Sequence, residues 1–356
     1  MRYKPDWNAV KDRHIAWWAR KGLVVSIGAP RDVPAENVPQ PAPLADIALR
    51  WTDPDYRAAA GLCQAAGRFF GGDAVPMVEL MLGPGSLSTF LGATPEFAPS
   101  TVWYQPCIVE ADSHGPLRFD PQHNHWWDVH VAMARQAAQL AQGRCMVSMP
   151  DLIENIDTLA SLRGTQELVM DLLERPEWVA RSVREINQAF FAAFDGLLAI
   201  VGDGEGGNCY PAFGLWGPGR TAKVQCDFSC MISTAMFEEF VVPSLREQCE
   251  WLDYSMYHLD GTNATHHLDS LLAIDTLDAI EWTPQAGLPG GGSPRWYELY
   301  RYIRRGGKSV QAVEVAPHEV LPLIEAVGPE GLYVMTSAPT QQAAQRLHDD
   351  VRRHFG

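Results

Sequence analysis

The stretch Tyr257-His258-Leu259-Asp260-Gly261, followed by Ala279-Ile280-Glu281-Trp282, decides the fold. Both pieces are short, each holds an aromatic residue, and each places polar groups at or near its carboxyl end, as strands do when those ends carry chemistry. His258 and Asp260 lie two apart, so on an extended strand both side chains point to one side, and Glu281 arrives from the neighbouring strand. Three ligand-bearing groups at two successive strand ends suit a divalent cation. Equally, a lone His-x-Asp pair can simply close a strand end, and the same groups can work as acids and bases without metal.

Working outward, strand-like apolar runs recur with helical stretches between them, the pattern of β-α units. Eight such runs occur, Leu23–Ala29, Ala74–Met81, Arg144–Met149, Ala222–Phe228, Ser255–Asp260, Leu277–Trp282, Lys308–Val315 and Gly331–Thr336. Eight closes a (β/α)8 barrel, and 356 residues is a barrel's length. The expectation is therefore an α/β chain of one domain over residues 1–356: a TIM barrel with an N-terminal extension and long loops over its C-terminal face. Pro176 opens a helix running to about Ile200, Thr340–Phe355 closes the chain as an amphipathic helix, and Trp17-Trp18 reads as packing. Gly83–Asp128 reads as an inserted capping segment, and the glycine-rich Gly202–Gly219 as a loop able to cover substrate.

In a barrel the carboxyl ends of the strands form the active face. Asp227, Asp260 and Glu281 are accordingly candidate catalytic acids and bases, and His258, Asp260 and Glu281 candidate metal ligands. Glu79, Asp151, Trp216, Arg220 and Trp282 are the candidate substrate contacts, with Trp126 a further possible wall. Asp227 has a competing reading as a loop cap, Asp157 with Arg163 as a structural pair, and His266 and His267 as capping or solvent-facing side chains.

Composition narrows the class. The net charge of −15 excludes nucleic acid or an anionic membrane surface as the main partner, since both require clustered Lys and Arg. Seven scattered cysteines without a signal peptide predict reduced thiols in the cytoplasm, and no apolar run is long enough to cross a bilayer. A small-molecule substrate is the expected partner.

Phe237-Glu238-Glu239-Phe240-Val241-Val242-Pro243 after Asp227, then the strand ending in His258, Glu281, and Lys308–Val315, resembles the C-terminal half of the uroporphyrinogen decarboxylase superfamily. Met149-Pro150-Asp151, Leu162-Arg163-Gly164 and Trp103 extend the resemblance over the chain from about Trp17 onward. It implies methyl transfer, because the cobalamin-associated methyltransferases of that superfamily hold zinc with a His-x-Cys at one strand end, in some members a Glu about twenty residues later, and a Cys near the last strand. Here His258 matches the His, Asp260 stands where the first Cys would be, Glu281 falls at the Glu, and Met335-Thr336-Ser337-Ala338 supplies no Cys. The resemblance thus implies a divalent metal, zinc among the candidates, in a harder ligand set, and a corrinoid-bearing protein as methyl carrier. The decarboxylase branch departs further, since its arginine-rich N-terminal segment is reduced to Arg31. A metal-free decarboxylase or lyase using Asp/Glu acid–base chemistry is the alternative, and a non-catalytic small-molecule binder the third reading.

Overall fold

A computed structural model describes residues 1–356. In chain order the strands are β1 (Leu23–Pro30), β2 (Arg68–Gly72), β3 (Met77–Val78), β4 (Thr94–Phe97), β5 (Val102–Gln105), β6 (Met146–Val147), β7 (Gly207–Tyr210), β8 (Leu215–Pro218), β9 (Thr221–Gln225), β10 (Tyr254–Asp260), β11 (Ala279–Thr283), β12 (Ser309–Val315) and β13 (Leu332–Ser337). Each of the eight apolar runs contains one of them. The central sheet has seven strands in the order β2-β1-β13-β12-β11-β10-β9, parallel throughout except where β2 meets β1. β3 and β6 pair in parallel as a separate two-stranded sheet. The chain is an α/β protein with a mostly parallel central sheet.

β2 was not anticipated. Arg68-Phe69-Phe70-Gly71-Gly72 runs antiparallel along β1, and its glycines permit the close approach: a Cβ on Gly72, whose φ is +58°, would sit 2.2 Å from the Val25 carbonyl oxygen.

The expected mobile loop at 202–219 is instead the hairpin β7–β8. Its first strand stands between β6 and β9. The Met149 amide donates to the Cys209 carbonyl at 2.8 Å, and the Asn208 side chain donates to the Thr221 carbonyl at 2.8 Å while accepting from the Thr221 amide at 2.9 Å, imitating a ladder. Cys209, Tyr210, Leu215 and Trp216 are buried, which a flexible cover would not allow.

Strand alternation sets the interior. Gln225, His258, Glu281 and Gln311 fall in one register row across β9, β10, β11 and β12, all on the inner face. Their neighbours Val224, Tyr257, Ile280 and Val310 point outward into the layer beneath the helices, where one apolar cluster extends from Tyr3 to Val351. The helix Pro176–Val201 carries proline in its first turn, and Gln341–Phe355 is capped by the Thr340 side chain and ends in Arg352, Arg353 and His354, favourable to its dipole. At the opposite end, helix Trp7–Trp18 lies across the strand starts with Trp17 and Trp18 buried, and the Trp18 indole donates to the Trp216 carbonyl at 2.9 Å. No helix is long and apolar enough to cross a membrane.

Candidate active site at the strand ends

His258 organises the site. Its Nδ1 lies 2.5 Å from Glu281, whose carboxylate has no exposed surface and also accepts from the Thr283 hydroxyl at 2.8 Å. A carboxylate only accepts, so Nδ1 carries the proton and Nε2 keeps its lone pair toward the mouth. There, Nε2 is 4.0 Å from Asp227, and the ligand-capable atoms of Asp227, His258 and Asp260 all lie within 4.8 Å of one another.

The side chains whose ligand-capable atoms come together are thus Asp227, His258 and Asp260, while Glu281, expected among them, stands behind His258 and fixes its ring and tautomer. Burial opposes charge on His258, but the hydrogen bond and charge of Glu281 outweigh it and raise its pKa. Burial likewise raises Glu281 against the pull of His258.

Asp227 is held from below. Its side chain accepts from Gln225 Nε2 at 2.9 Å, and the helix that follows is capped by the Ser233 side chain. Gln225 Oε1 in turn accepts from Lys223, which also binds Asp151 at 3.0 Å. Because Lys223 only donates, the Gln225 amide must turn its NH2 toward Asp227 and Asp157. Half of the Asp227 side chain meets solvent, and the desolvation of its inward side together with the charge of Asp157 pushes it up to about 6. Deeper still, burial pushes Glu154 up to about 8 despite Lys223, while its Oε1 accepts from the Gln225 amide at 2.9 Å.

Asp157 belongs to this network and not to Arg163. Its carboxylate accepts from Gln225 Nε2 and from the amides of Asp227 and Phe228 at 2.8–2.9 Å, whereas Arg163 pairs with Asp171 at 2.7 Å. The loop after β6, which carries Asp151 and Glu154, leads into the helix Asn155–Arg163, whose first turn carries Asp157, and along this path Ile153 sits at φ +48° and Asn155 at φ +69°. Phe213, at φ +64° on the tip of the β7–β8 hairpin, lays its ring 4.9 Å from the His258 imidazole. Non-glycine residues in this region cost on the order of 1–3 kcal/mol each, and three of the five in the chain border the site. Gln311 and Tyr333 pin that tip through the carbonyls of Phe213 and Gly214, at 2.8 Å each.

Beside Asp227 opens a cleft of about 650 Å³. One wall is the β4–β5 hairpin of the inserted segment, carrying Trp103 and Tyr104, and the facing wall includes Phe228 and Met231.

The other expected contacts lie elsewhere. Asp151 is buried on Lys223 and Tyr210, below the mouth. Glu79, just past β3, is exposed with Arg57 as its charged neighbour and does not line the cleft. Trp282 follows Glu281 on β11, so an inward Glu281 sends it outward, where it packs 5.0 Å from the Trp296 ring. Trp216 and Arg220 sit at the strand starts: Trp216 packs on Trp7, and Arg220 pairs with Asp195 at 2.9 Å over the Trp251 ring. Trp126, half-buried, packs 5.9 Å from Phe97. His267 is buried on Phe237, and His266 is within reach of the Ile232 carbonyl. Lys223 and Gln225 were missed, although Thr221-Ala222-Lys223-Val224-Gln225 alternates polar and apolar residues in a strand whose outer side must be apolar.

No family model matches the chain, and no curated protein matches it in sequence. Among solved structures it is similar to a methyltransferase from Methanosarcina mazei, with a TM-score of 0.65 over 97% of this chain and 98% of that one, at 9% identity. The likeness is one of fold. At such identity the donor set cannot be inherited and must be argued from this chain's own atoms.

Proposed function

We propose that the chain is an enzyme of the methyltransferase type, built as a closed barrel and acting on a small molecule at the mouth where Asp227, His258 and Asp260 converge. Closure is supported by β7 standing between β6 and β9, and by the short link from β2 directly into β3. The methyl-transfer reading rests on the fold and on the resemblance described above. The observation that carries the site is the commitment of His258 Nδ1 to Glu281, which leaves Nε2 beside two carboxylates within 4.8 Å.

This donor set fits a divalent cation. One imidazole nitrogen and two carboxylates make a mixed, rather hard site, and a cation there would offset the desolvation and the neighbouring carboxylate charge that raise Asp227. Asp227, His258 and Asp260 would hold it, with Glu281 orienting the imidazole. When bound, such an ion supplies Lewis acidity that lowers the pKa of a coordinated hydroxyl. No thiolate joins the set, so activation of a thiol acceptor, which favours soft ligands, is disfavoured.

The chain's own groups do the rest. Gln225 keeps Asp227 in place, Phe213 covers one face of the imidazole, and Glu281 holds the ring so that Nε2 faces the two carboxylates. A methyl carrier, a corrinoid protein by the resemblance, would have to approach from solvent, where Asp227 and Asp260 are exposed. A second reading keeps the same groups without metal: an Asp227 near 6 and a carboxylate-backed imidazole are suited to general acid–base work in a lyase.

Elemental analysis of protein purified without chelator separates the two. The metal reading expects one divalent ion per chain, lost on His258→Ala or Asp227→Asn with the fold intact, and tighter zinc binding on Asp260→Cys. Protein that binds no divalent ion at micromolar concentration sinks it, and the lyase reading then stands if Asp227→Asn still abolishes turnover.

A further inference from the structure

The cleft beside Asp227 has an unusual charge inventory. Asp157 and Asp227 are the only charged side chains that line it, and no Lys, Arg or His does. Its walls are aromatic and thioether: Trp103, Tyr104, Phe228 and Met231. Trp103, at 65% the only exposed tryptophan of the chain, and Met231, at 49%, leave large apolar surfaces at the entrance to the cavity. The Tyr104 hydroxyl donates to the Leu82 carbonyl at 2.7 Å, so the ring is what this residue has left to offer. Directly across the hairpin from Trp103, on the same face, is Glu96, whose carboxylate accepts from the Gln105 side chain at 2.6 Å.

We infer that this cleft binds a small organic cation with apolar substituents, an alkylated ammonium. Such an ion is stabilised by aromatic faces, by indole most of all, and by carboxylates that need not strip it of a specific proton. An anion would meet two carboxylates with no basic side chain lining the cleft, and a neutral molecule of the same shape would gain only contact with the walls. Asp157 suits the task because three N–H groups hold its carboxylate in place, and it lies outside the proposed ligand set, so recognition of the cation and binding of a metal use different groups. The cleft's capacity of about 650 Å³ accommodates a ligand of this size, and the pocket lies against Asp227, where the chemistry is proposed.

Describing this ligand as a substrate rests on the proposed function; the binding itself does not. It is tested on chelator-treated full-length protein by calorimetry, using choline, its neutral carbon isostere 3,3-dimethylbutan-1-ol, and a sulfonate of similar size. Choline should bind roughly tenfold or more tighter than the isostere, with affinity falling as salt rises, and the sulfonate should not bind. Trp103→Ala, at an exposed site that leaves the fold intact, should weaken choline about three- to tenfold with little effect on the isostere. Asp157→Asn should remove most of the preference for charge, with circular dichroism reporting whether it folds. Equal affinity for choline and isostere, binding of the sulfonate, no binding of choline at tens of millimolar, or an unchanged choline affinity in Trp103→Ala overturns the inference. Because the protein is stripped of metal, these outcomes are independent of whether the metal reading holds.

Discussion

Replacing Glu281 with glutamine keeps the shape of the site and removes one charge. In the native protein the carboxylate accepts from His258 Nδ1 at 2.5 Å and from Thr283 at 2.8 Å, in a setting with no solvent. A hydrogen bond to a charged group contributes about 1.5–3 kcal/mol and a neutral one about 0.5–1.5, so the exchange costs on the order of 1–2 kcal/mol in the orientation and basicity of the imidazole. If His258 Nε2 is a metal ligand, that loss appears as roughly 10- to 100-fold weaker binding, the range seen for changes behind a first ligand. The His258 pKa should also fall, because Glu281 is what raises it against burial. Competition for zinc against a chromophoric chelator measures the first effect, and the NMR titration of the imidazole the second. Glu281→Ala, which strands the histidine, should cost about 3–5 kcal/mol of stability and serves as the disruptive control. A folded Glu281→Gln protein with native zinc affinity and an unmoved His258 titration would refute the assignment of Glu281 as the orienting group.

Two further outcomes are expected. Glu154, raised by burial to about 8 from an unfolded value near 4.5, binds its proton more tightly in the folded state, so native stability should decline as pH rises between those values and level off above 8. Thermal melts across that window should show a slope of up to about 1.4 kcal/mol per pH unit that Glu154→Gln flattens; an identical slope in the variant contradicts the buried-acid account. Trp282→Ala should destabilise by about 3–5 kcal/mol through the cavity left against Trp296, yet leave the KM of the folded fraction unchanged, and a raised KM would place the indole in the pocket after all.

Much of the architecture was legible because the parallel strands are buried on their outer faces and so read as apolar runs, and each run holds a strand. The helix after Pro176 and the Thr340 cap carried equally local signals. What escaped was decided by distant partners. β2 is a strand because β1 offers it an edge, and its Gly-Gly end reads locally as a turn. The segment after Gly202 contains enough glycine to suggest a mobile loop, and only the gap between β6 and β9 makes a hairpin of it. Within the site, His258 and Asp260 were found from their spacing of two, and the same rule applied to Glu281-Trp282 would have sent the indole outward. Asp157 could not be found this way. Its partners, Gln225, Asp227 and Phe228, lie some seventy residues away, and nothing in its own neighbourhood distinguishes it from a surface acid facing Arg163.

The β7–β8 hairpin has a consequence for how this scaffold can change. In barrels the two ends ordinarily evolve separately, one answering for chemistry and the other for stability. In this chain a single ribbon reaches both ends of the strands: Trp216 is wedged against Trp7 at one end, and three residues away Phe213 rests on His258 at the other. A substitution among the tryptophans beneath the strands would therefore be felt by the imidazole above them, so that packing at the floor and ring placement at the rim change together.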